Sequence, residues 1–262
     1  MSTWSANINV MIKAARRAGS SLMRDFGEVE NLQVSTKGPG DFVSKADLRA
    51  EDILKTELLE ARENYGWLAE EGGSIDGADP TRRWIVDPLD GTTNFLHGIP
   101  MWCVSIGLEH KGQIVAGVIY SPALEELYIA EKGGGAWLND KRIRVSGRRE
   151  MTQMVFGTGL PIGNRDNFPK LLKEMAQVFP AAADIRRLGS AAMDLAYVAA
   201  GRLDGYWHRS LSPWDMAAGI ILVKEAGGLV ESIEKGDPMS TGDIVAAPSE
   251  SFDKFAKMVR NA

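Results

Sequence analysis

The sequence is poor in the residues that form covalent cross-links and soft-metal sites. Its 262 residues include one cysteine, Cys103, and three histidines. A single cysteine excludes an intrachain disulfide and is typical of a protein from a reducing compartment. The scarcity of cysteine and histidine also argues against a zinc centre, which is usually built from these two residue types.

Long apolar runs and an excess of positive charge are also lacking. No stretch approaches the roughly 20 apolar residues that cross a bilayer. Arg16 and Arg17 interrupt any signal-peptide core, and the apolar residues around them recur at helical spacing. The net charge of −5 argues against broad binding of nucleic acid. We therefore expect a cytoplasmic location, no membrane contact and no direct nucleic-acid binding.

What remains is the composition of an ordinary globular protein, with 44% hydrophobic and 25% charged residues. The first helix is predicted to end near Phe26, and the pattern turns to strands from Trp67 to Leu138, with a hairpin turn at 110–112. Helices and strands alternate in the second half. The sequence contains no repeat or linker, so we expect one domain over residues 1–262, of α/β or mixed α+β class.

Two helix starts carry polar residues. The Ser44–Asp47 segment reads as a capping box. Ser212 to Asp215 places serine at the N-cap, proline at the first helical position and an acid at the third. On the second helix Met216, Ile220, Val223 and Gly227 are predicted to line one inner face.

The most informative stretch runs from Trp84 to Asn94. A short strand, 83–86, is predicted to deliver Asp87 at its end, where Pro88 stops the ladder. The turn that follows can bring Asp90 back beside Asp87. Two carboxylates so close raise each other's pKa, and a divalent cation between them removes that cost. The alternative is an ordinary turn with solvated acids, since Asp-Pro and Asp-Gly are common turn dipeptides.

The residues after Asp90 offer a site for an anion beside this cation site. If a helix starts there, the amides of Gly91, Thr92 and Thr93 point outward and form an anion site suited to phosphate. A cation site beside an anion site is what metal-assisted phosphoryl chemistry needs.

Further acids strengthen this interpretation. Glu70 and Glu71 follow an apolar run, and Asp215 lies in the first turn of an apolar helix, where a capping-box acid is the alternative. A site made only of oxygen ligands implies a hard cation, so Mg²⁺ is favoured over Zn²⁺.

These motifs resemble the inositol monophosphatase family. The segment 84–95 is similar to the family's first signature, and 214–219 with 225–228 is similar to the second. Asp41 to Asp47, Glu70-Glu71 and 187–192 match in order, so the similarity covers the whole chain. The sequence most resembles the bacterial SuhB-type members.

The resemblance implies a layered α-β-α-β-α sandwich, usually dimeric, that hydrolyses inositol monophosphate or a similar polyol phosphate by metal-activated water. It also implies two or three Mg²⁺ ions per site and sensitivity to lithium. The metal ligands would be Glu70, Asp87, Asp90, Asp215 and the carbonyl of Leu89. Thr92, oriented by Asp47, would hold the attacking water with Glu70. The substrate would contact Asp90, Gly91, Thr92, Ala191, Asp215 and position 208.

Position 208 departs from the family pattern. The inositol-binding members carry a glutamate that accepts hydrogen bonds from ring hydroxyls, and this chain has His208. Preference for inositol is therefore open, and rival substrates are fructose 1,6-bisphosphate, a nucleotide 3′-phosphate and histidinol phosphate.

A second alternative function is a partner role in ribosomal RNA transcription, which some SuhB-type proteins have. The basic run 141–144 with Arg148 and Arg149 is a candidate surface for the transcription machinery. The other interpretation of this run is a solvated hairpin edge.

Overall fold

The structure is a computed structural model that describes residues 4–28, 34–38, 41–161 and 165–262; of 34–38 and 41–43 it describes only the backbone. Its helices are α1 (Ala6–Phe26), α2 (Lys45–Ala61), α3 (Thr92–Leu96), α4 (Phe168–Val178), α5 (Ala191–Ala199), α6 (Pro213–Glu225), α7 (Pro238–Thr241) and α8 (Ser249–Arg260). Its strands are β1 (Val34–Gly38), β2 (Asp41–Ser44), β3 (Tyr65–Ala69), β4 (Gly73–Ile75), β5 (Asp79–Asp90), β6 (Cys103–His110), β7 (Gln113–Ser121), β8 (Glu126–Glu131), β9 (Gly135–Leu138), β10 (Lys141–Ile143), β11 (Val155–Thr158), β12 (Asp184–Arg186), β13 (Gly205–His208), β14 (Gly228–Glu231) and β15 (Ile244–Pro248).

Two large mixed sheets organise the described residues. The first has eight strands in the order β10-β9-β8-β7-β6-β5-β3-β4, and the second has five in the order β12-β11-β13-β15-β14. Most neighbours are antiparallel, but β3 runs parallel to β5, and β11 runs parallel to both β12 and β13. β1 and β2 form a separate antiparallel pair.

Helices cover both sheets and separate them. One apolar cluster joins α1 and α2 to one face of the first sheet. A second cluster joins α5 and α6 to the other face of that sheet and to the inner face of the second sheet. A third joins α4 and α8 to the outer face of the second sheet. The predicted α-β-α-β-α layering is therefore confirmed, while the single domain over 1–262 stays a prediction.

The helix α6 lies between the sheets and differs from the sequence prediction. Every residue from Met216 to Val223 is buried, so the helix has no single inner face. A helix with a sheet on either side buries its whole circumference, and a one-sided apolar stripe does not describe it.

The strand β5 is also longer than predicted. It extends from Asp79 to Asp90 and continues through Pro88, so the predicted end of the strand at 86 is wrong. The register with β6 shifts between Asp87, opposite Ser105, and Asp90, opposite Cys103. This is a β-bulge, which accommodates a residue that cannot donate to the ladder and re-aims the side chains around it.

The helix starts predicted from the sequence are confirmed. Ser44 and Asp47 form a capping box on α2, and Ser212 and Asp215 form one on α6. Within the described residues, no helix combines the length and the apolar character that crossing a bilayer requires.

Candidate metal and phosphate site

Two parallel strands place the first two acids side by side. The register of β3 with β5 sets Ala69 opposite Val86. The next residues along the chain are Glu70 and Asp87. Because parallel neighbours point their carboxyl ends the same way, both acids emerge at one edge of the sheet.

The bulge in β5 then brings Asp90 to the same edge. Asp90 Oδ2 accepts hydrogen bonds from Ser190 Oγ at 2.7 Å and from the Ala192 amide at 2.6 Å. These donors belong to the first turn of α5, whose N-cap is Ser190. The N-terminus of a helix favours a negative charge, so α5 fixes the orientation of this carboxylate.

The fourth acid arrives from α6. Asp215 Oδ2 accepts a hydrogen bond from the Ser212 amide at 2.7 Å, as the capping box requires. Ser105 Oγ, on the strand paired with Asp87, donates to the Trp214 carbonyl at 3.4 Å. The start of α6 therefore lies over β6 at the residue that pairs with Asp87.

The electrostatics of Asp87 reflect this convergence. Burial raises the pKa of Asp87 well above its usual range, and the negative charges of Glu70, Asp90 and Asp215 raise it further. Burial also raises the pKa of Asp90, to about 6, against the hydrogen bonds from Ser190 and Ala192. Negative charge is therefore concentrated around Asp87.

The donor set fits a hard divalent cation in its chemistry. Carboxylate oxygens are the ligands that Mg²⁺ prefers, and a cation offsets the repulsion that acts on Asp87. Among the described side chains, no group of three or more histidine, cysteine or acidic residues already stands in metal-binding geometry. Metal binding at Glu70, Asp87, Asp90, Asp215 and the carbonyl of Leu89 therefore stays a prediction.

Thr92, which the resemblance implies would hold the attacking water, contacts Asp47. Its Oγ1 is 3.1 Å from Asp47 Oδ1 and 3.0 Å from the Leu89 carbonyl oxygen. Asp47 is fully buried and accepts from the Ser44 amide and hydroxyl. Burial raises the pKa of Asp47, and the hydrogen bonds from Ser44 and Thr92 oppose that rise. The two residues are in contact, and their catalytic roles stay a prediction.

The predicted anion site lies at the start of α3. Gly91 is the N-cap of this helix, with φ 96°, a conformation that favours glycine. A Cβ at this position would lie 2.9 Å from the Met101 carbonyl oxygen. Asn94 donates to the carbonyls of Met101 and Leu188, so α3 is tied to the segment before α5.

A cavity of about 440 Å³ unites these residues. Its lining includes all the predicted substrate contacts, which are Asp90, Gly91, Thr92, Ala191, His208 and Asp215. His208 is 8% exposed, and its Nε2 lies 3.2 Å from the Leu160 carbonyl oxygen. Burial lowers the pKa of His208 to about 4, so this side chain is neutral at pH 7.

Several lining residues have no role in the sequence interpretation, among them Arg187, Ser190, Asp194 and Tyr206. Ser190 carried a recognisable signal, because a serine before a run of small helical residues is an N-cap candidate. Arg187 belongs to the segment 187–192 that resembles the family. Asp194 and Tyr206 carried no signal, since an acid inside a helix and a tyrosine inside a strand are ordinary residues until packing places them at a cavity.

A larger cleft of about 710 Å³ lies away from these acids. It is lined by part of the basic run, including Arg144, Arg148 and Arg149. Arg148 pairs with Asp204, and Arg149 pairs with Glu250. The residues Lys141–Ile143 form β10, at the edge of the eight-stranded sheet. These contacts agree with the interpretation of the run as a hairpin edge. We therefore assign the candidate active site to the acidic cavity rather than to this cleft.

Comparisons with known proteins identify the family of this chain. The chain is 58% identical to an inositol-1-monophosphatase from Mesorhizobium japonicum over 92% of this chain and 91% of that one. It is 39% identical to a Nus factor SuhB from Vibrio cholerae, over 97% and 95%. The crystal structure of the extragenic suppressor protein suhB from Bartonella henselae superposes with a TM-score of 0.95 at 52% identity, covering 98% of this chain and all of that one. Residues 4–262 match the model of the inositol monophosphatase family. The chain therefore belongs to the inositol monophosphatase family.

Proposed function

We propose that this chain is a Mg²⁺-dependent phosphomonoesterase that hydrolyses inositol monophosphate, or a similar small polyol or sugar phosphate, to the free alcohol and phosphate. The observation that carries the proposal is the convergence of Glu70, Asp90 and Asp215 on the buried Asp87. Glu70, Asp90 and Asp215 line a cavity that the start of α3 also lines. Metal dependence is general in this family, and the identity and number of the ions, two or three Mg²⁺, belong to the proposal.

The proposed ligands of the metal are the four acids with the carbonyl of Leu89. Mg²⁺ held there supplies Lewis-acid stabilisation of the charge that develops on the transferred phosphoryl group. The remaining chemistry belongs to the residues of the chain, which bind the phosphate, orient the water and hold the alcohol.

Three groups of residues divide that work in the proposal. Thr92, hydrogen-bonded to Asp47, orients the attacking water together with Glu70. The amides of Gly91 and Thr92 bind the phosphate at the positive end of α3. Ala191 and His208, which also line the cavity, lie along the alcohol. Such an arrangement accelerates hydrolysis by positioning and electrostatics, without a covalent intermediate.

A phosphatase screen tests the proposal. Purified protein with Mg²⁺ is assayed against inositol 1-phosphate, glycerol 2-phosphate, fructose 1,6-bisphosphate, a nucleotide 3′-phosphate and histidinol phosphate, with phosphate release as the readout. We expect hydrolysis of the polyol phosphates, loss of activity after exhaustive chelation, and recovery on adding Mg²⁺. Full activity in the chelated protein contradicts the metal dependence, and preference for another substrate on the panel contradicts the polyol assignment.

A second candidate function has one observation in its favour, which is the similarity to the Vibrio cholerae protein named Nus factor SuhB. Under this alternative the chain also binds the transcription machinery. A pull-down from cell extract with tagged protein tests it, and Asp87→Asn, inactive under the main proposal, shows whether binding depends on catalysis. Absence of RNA polymerase and its elongation factors from the eluate contradicts this function.

The assembly and location are parts of the same proposal. The family resemblance supports a homodimer in the cytoplasm. Sedimentation equilibrium at micromolar concentration measures the assembly, and a mass equal to one chain contradicts the dimer.

A further inference from the structure

The lining of the acidic cavity includes side chains to which the proposed hydrolysis gives no catalytic role. The strand β13 contributes Tyr206 and His208, two residues apart and so on the same face of the strand. Their rings are nearly parallel, 4° apart in orientation and 6.2 Å between centroids. Asp194, from the first turn of α5, lines the same cavity, and we call these three side chains the wall.

Glycine makes room for these side chains. A Cβ on Gly157 would lie 3.0 Å from Asp194 Oδ1, and a Cβ on Gly159 would lie 2.3 Å from His208 Nε2. Both glycines come from β11 and the residue just after it. The polar side chains therefore pack directly against backbone, and no side chain from this segment separates them.

Two polar atoms in this wall lack a partner. Asp194 Oδ1 and His208 Nδ1 are buried with no hydrogen bond to any part of the chain that the structure describes. Asp194 is 1% exposed, and burial together with the charge of Asp90 raises its pKa well above the usual range. Buried polar atoms are almost always hydrogen-bonded in folded proteins, so two unpartnered atoms on residues that line one cavity indicate a ligand or a bound water.

The chemistry of the missing partner follows from the tautomer of His208. The Leu160 carbonyl can only accept, so the Nε2 that contacts it carries the proton and Nδ1 is an acceptor. A carboxyl oxygen of Asp194 also accepts. A group that donates to both fits this wall, as the hydroxyls of a polyol do. A second phosphate would present oxygen acceptors to two acceptors and would meet the charge of Asp90 nearby.

We propose that Asp194 is a specificity-determining residue that accepts a hydrogen bond from a hydroxyl of the leaving alcohol, so that the site selects polyhydroxylated phosphate monoesters. This deepens the proposed function and rests on it. Asp194 is not one of the acids proposed to hold the metal, and it belongs to α5 rather than to the start of α3, so the proposal assigns it to the alcohol.

The test compares two substrates on each enzyme preparation. Inositol 1-phosphate offers ring hydroxyls, and 4-nitrophenyl phosphate offers none. We expect Asp194→Ala to lower kcat/KM for inositol 1-phosphate by about threefold to tenfold, the usual scale for one hydrogen bond, and to leave 4-nitrophenyl phosphate unchanged. Asp194→Asn, which keeps an acceptor oxygen, should restore most of the ratio between the two substrates.

The ratio of the two kcat/KM values does not depend on the fraction of folded enzyme, so it remains valid if the variant is less stable. Asp194→Ser replaces Asp194→Ala if the alanine variant does not fold. Asp204→Asn is the matched control, because Asp204 is equally buried but bonds Arg148 and the Val155 amide, outside the cavity. It should lower stability and leave the ratio unchanged.

The outcomes distinguish failure of the inference about Asp194 from failure of the proposed function. If the wild-type protein hydrolyses neither substrate with Mg²⁺, the proposed function fails. If it hydrolyses both and the ratio is the same in wild type and Asp194→Ala, the inference alone is overturned and the carboxyl holds only an internal water.

Discussion

At the scale of single residues, the environment shifts the pKa values of two aspartates in opposite directions. Asp79, the first residue of β5, is partly exposed and bonded to Thr81 and Arg82, which lowers its pKa to about 2. Asp87 is buried among other acids, which raises its pKa. The first carboxylate stays charged, whereas the second holds charge at a cost that a bound cation removes.

Thr92 and Asp47 should act as one unit. We expect Thr92→Ala to lower kcat by roughly a hundredfold or more with a smaller change in KM, because a positioned proton-transfer group is lost. Asp47→Asn should match it, and the double variant should be no worse than either. Steady-state kinetics measure all three.

The pair formed by Thr81 and Asp79 is a matched control, since Thr81 Oγ1 lies 2.6 Å from Asp79 Oδ1 outside the cavity. Thr81→Ala should leave kcat unchanged. Losses that multiply in the Thr92 and Asp47 double variant would show that these two residues act independently.

His208 should make stability depend on pH. Its pKa is about 4 in the folded protein and 6.5 ordinarily, so between these values the unfolded chain binds the proton and the folded protein does not. This contribution to stability is full above pH 6.5 and is lost as the pH falls toward 4. At pH 5 the loss amounts to about 2 kcal/mol.

Urea unfolding at pH 7 and pH 5 checks this prediction. His208→Phe should lose less stability than wild type over that interval, by about the same 2 kcal/mol. The exposed His97, changed to Phe in the same way, is the control. An equal pH dependence in wild type and His208→Phe would contradict the assignment.

Position 208 should also influence substrate choice. A neutral histidine offers inositol one acceptor, Nδ1, whereas a glutamate offers charged oxygens to two adjacent hydroxyls. We expect His208→Glu to raise kcat/KM for inositol 1-phosphate relative to glycerol 2-phosphate by about tenfold or more, the worth of a charge-assisted contact. A ratio that does not move toward inositol 1-phosphate would mean that this position does not set substrate choice.

At the scale of elements, the site is assembled where strands end and helices begin. Asp90 is held by the first turn of α5, and Asp215 caps α6. Thr92 opens α3, and Asp47 caps α2. The positive ends of several helices thus lie near concentrated negative charge, which stabilises the carboxylates and prepares a place for phosphate.

Ser190 should contribute both to the stability of α5 and to the affinity for Mg²⁺. Its hydroxyl donates to Asp90 and accepts from the Met193 amide as the N-cap of α5. Ser190→Ala should cost about 1 kcal/mol of stability and should also lower the affinity for Mg²⁺, because Asp90 loses a fixed partner. Denaturant unfolding and metal titration measure the two effects.

Ser5 is the matched control, since it is the N-cap of α1 and accepts from the Ile8 amide. Ser5→Ala should cost similar stability without altering Mg²⁺ affinity. If both variants bind Mg²⁺ as well as wild type, Ser190 is a helix cap alone.

At the scale of the whole molecule, the buried acids should trade stability for function. We expect Asp87→Asn to abolish most activity and to leave the metal-free protein as stable as wild type or more so, because repulsion among buried carboxylates is relieved. Mg²⁺ should raise the melting temperature of wild type and have little effect on the variant.

Thermal melts in chelator and in excess Mg²⁺ distinguish a metal-binding role of Asp87 from a structural role. Asp204→Asn again serves as the control, since a buried acid with good partners should lose stability in both conditions. A large drop in the melting temperature of metal-free Asp87→Asn would show that Asp87 is structural.

Local interactions made much of this protein predictable from its sequence. The capping boxes at Ser44 and Ser212 depend on residues three apart, and the turn at 110–112 depends on a few consecutive residues. The acids at 70, 87, 90 and 215 could be selected because they follow apolar runs or open an apolar helix. The α-β-α-β-α layering came from the resemblance to a family.

Only the tertiary structure decided how distant residues meet. The register that sets Ala69 beside Val86, the bulge that carries β5 through Pro88 and the burial of α6 on all sides depend on partners far away in sequence. The same holds for Asp194 and for the tautomer of His208, which is fixed by the Leu160 carbonyl. A sequence pattern reports the period of one element, whereas burial and hydrogen-bond partners belong to the packing of several.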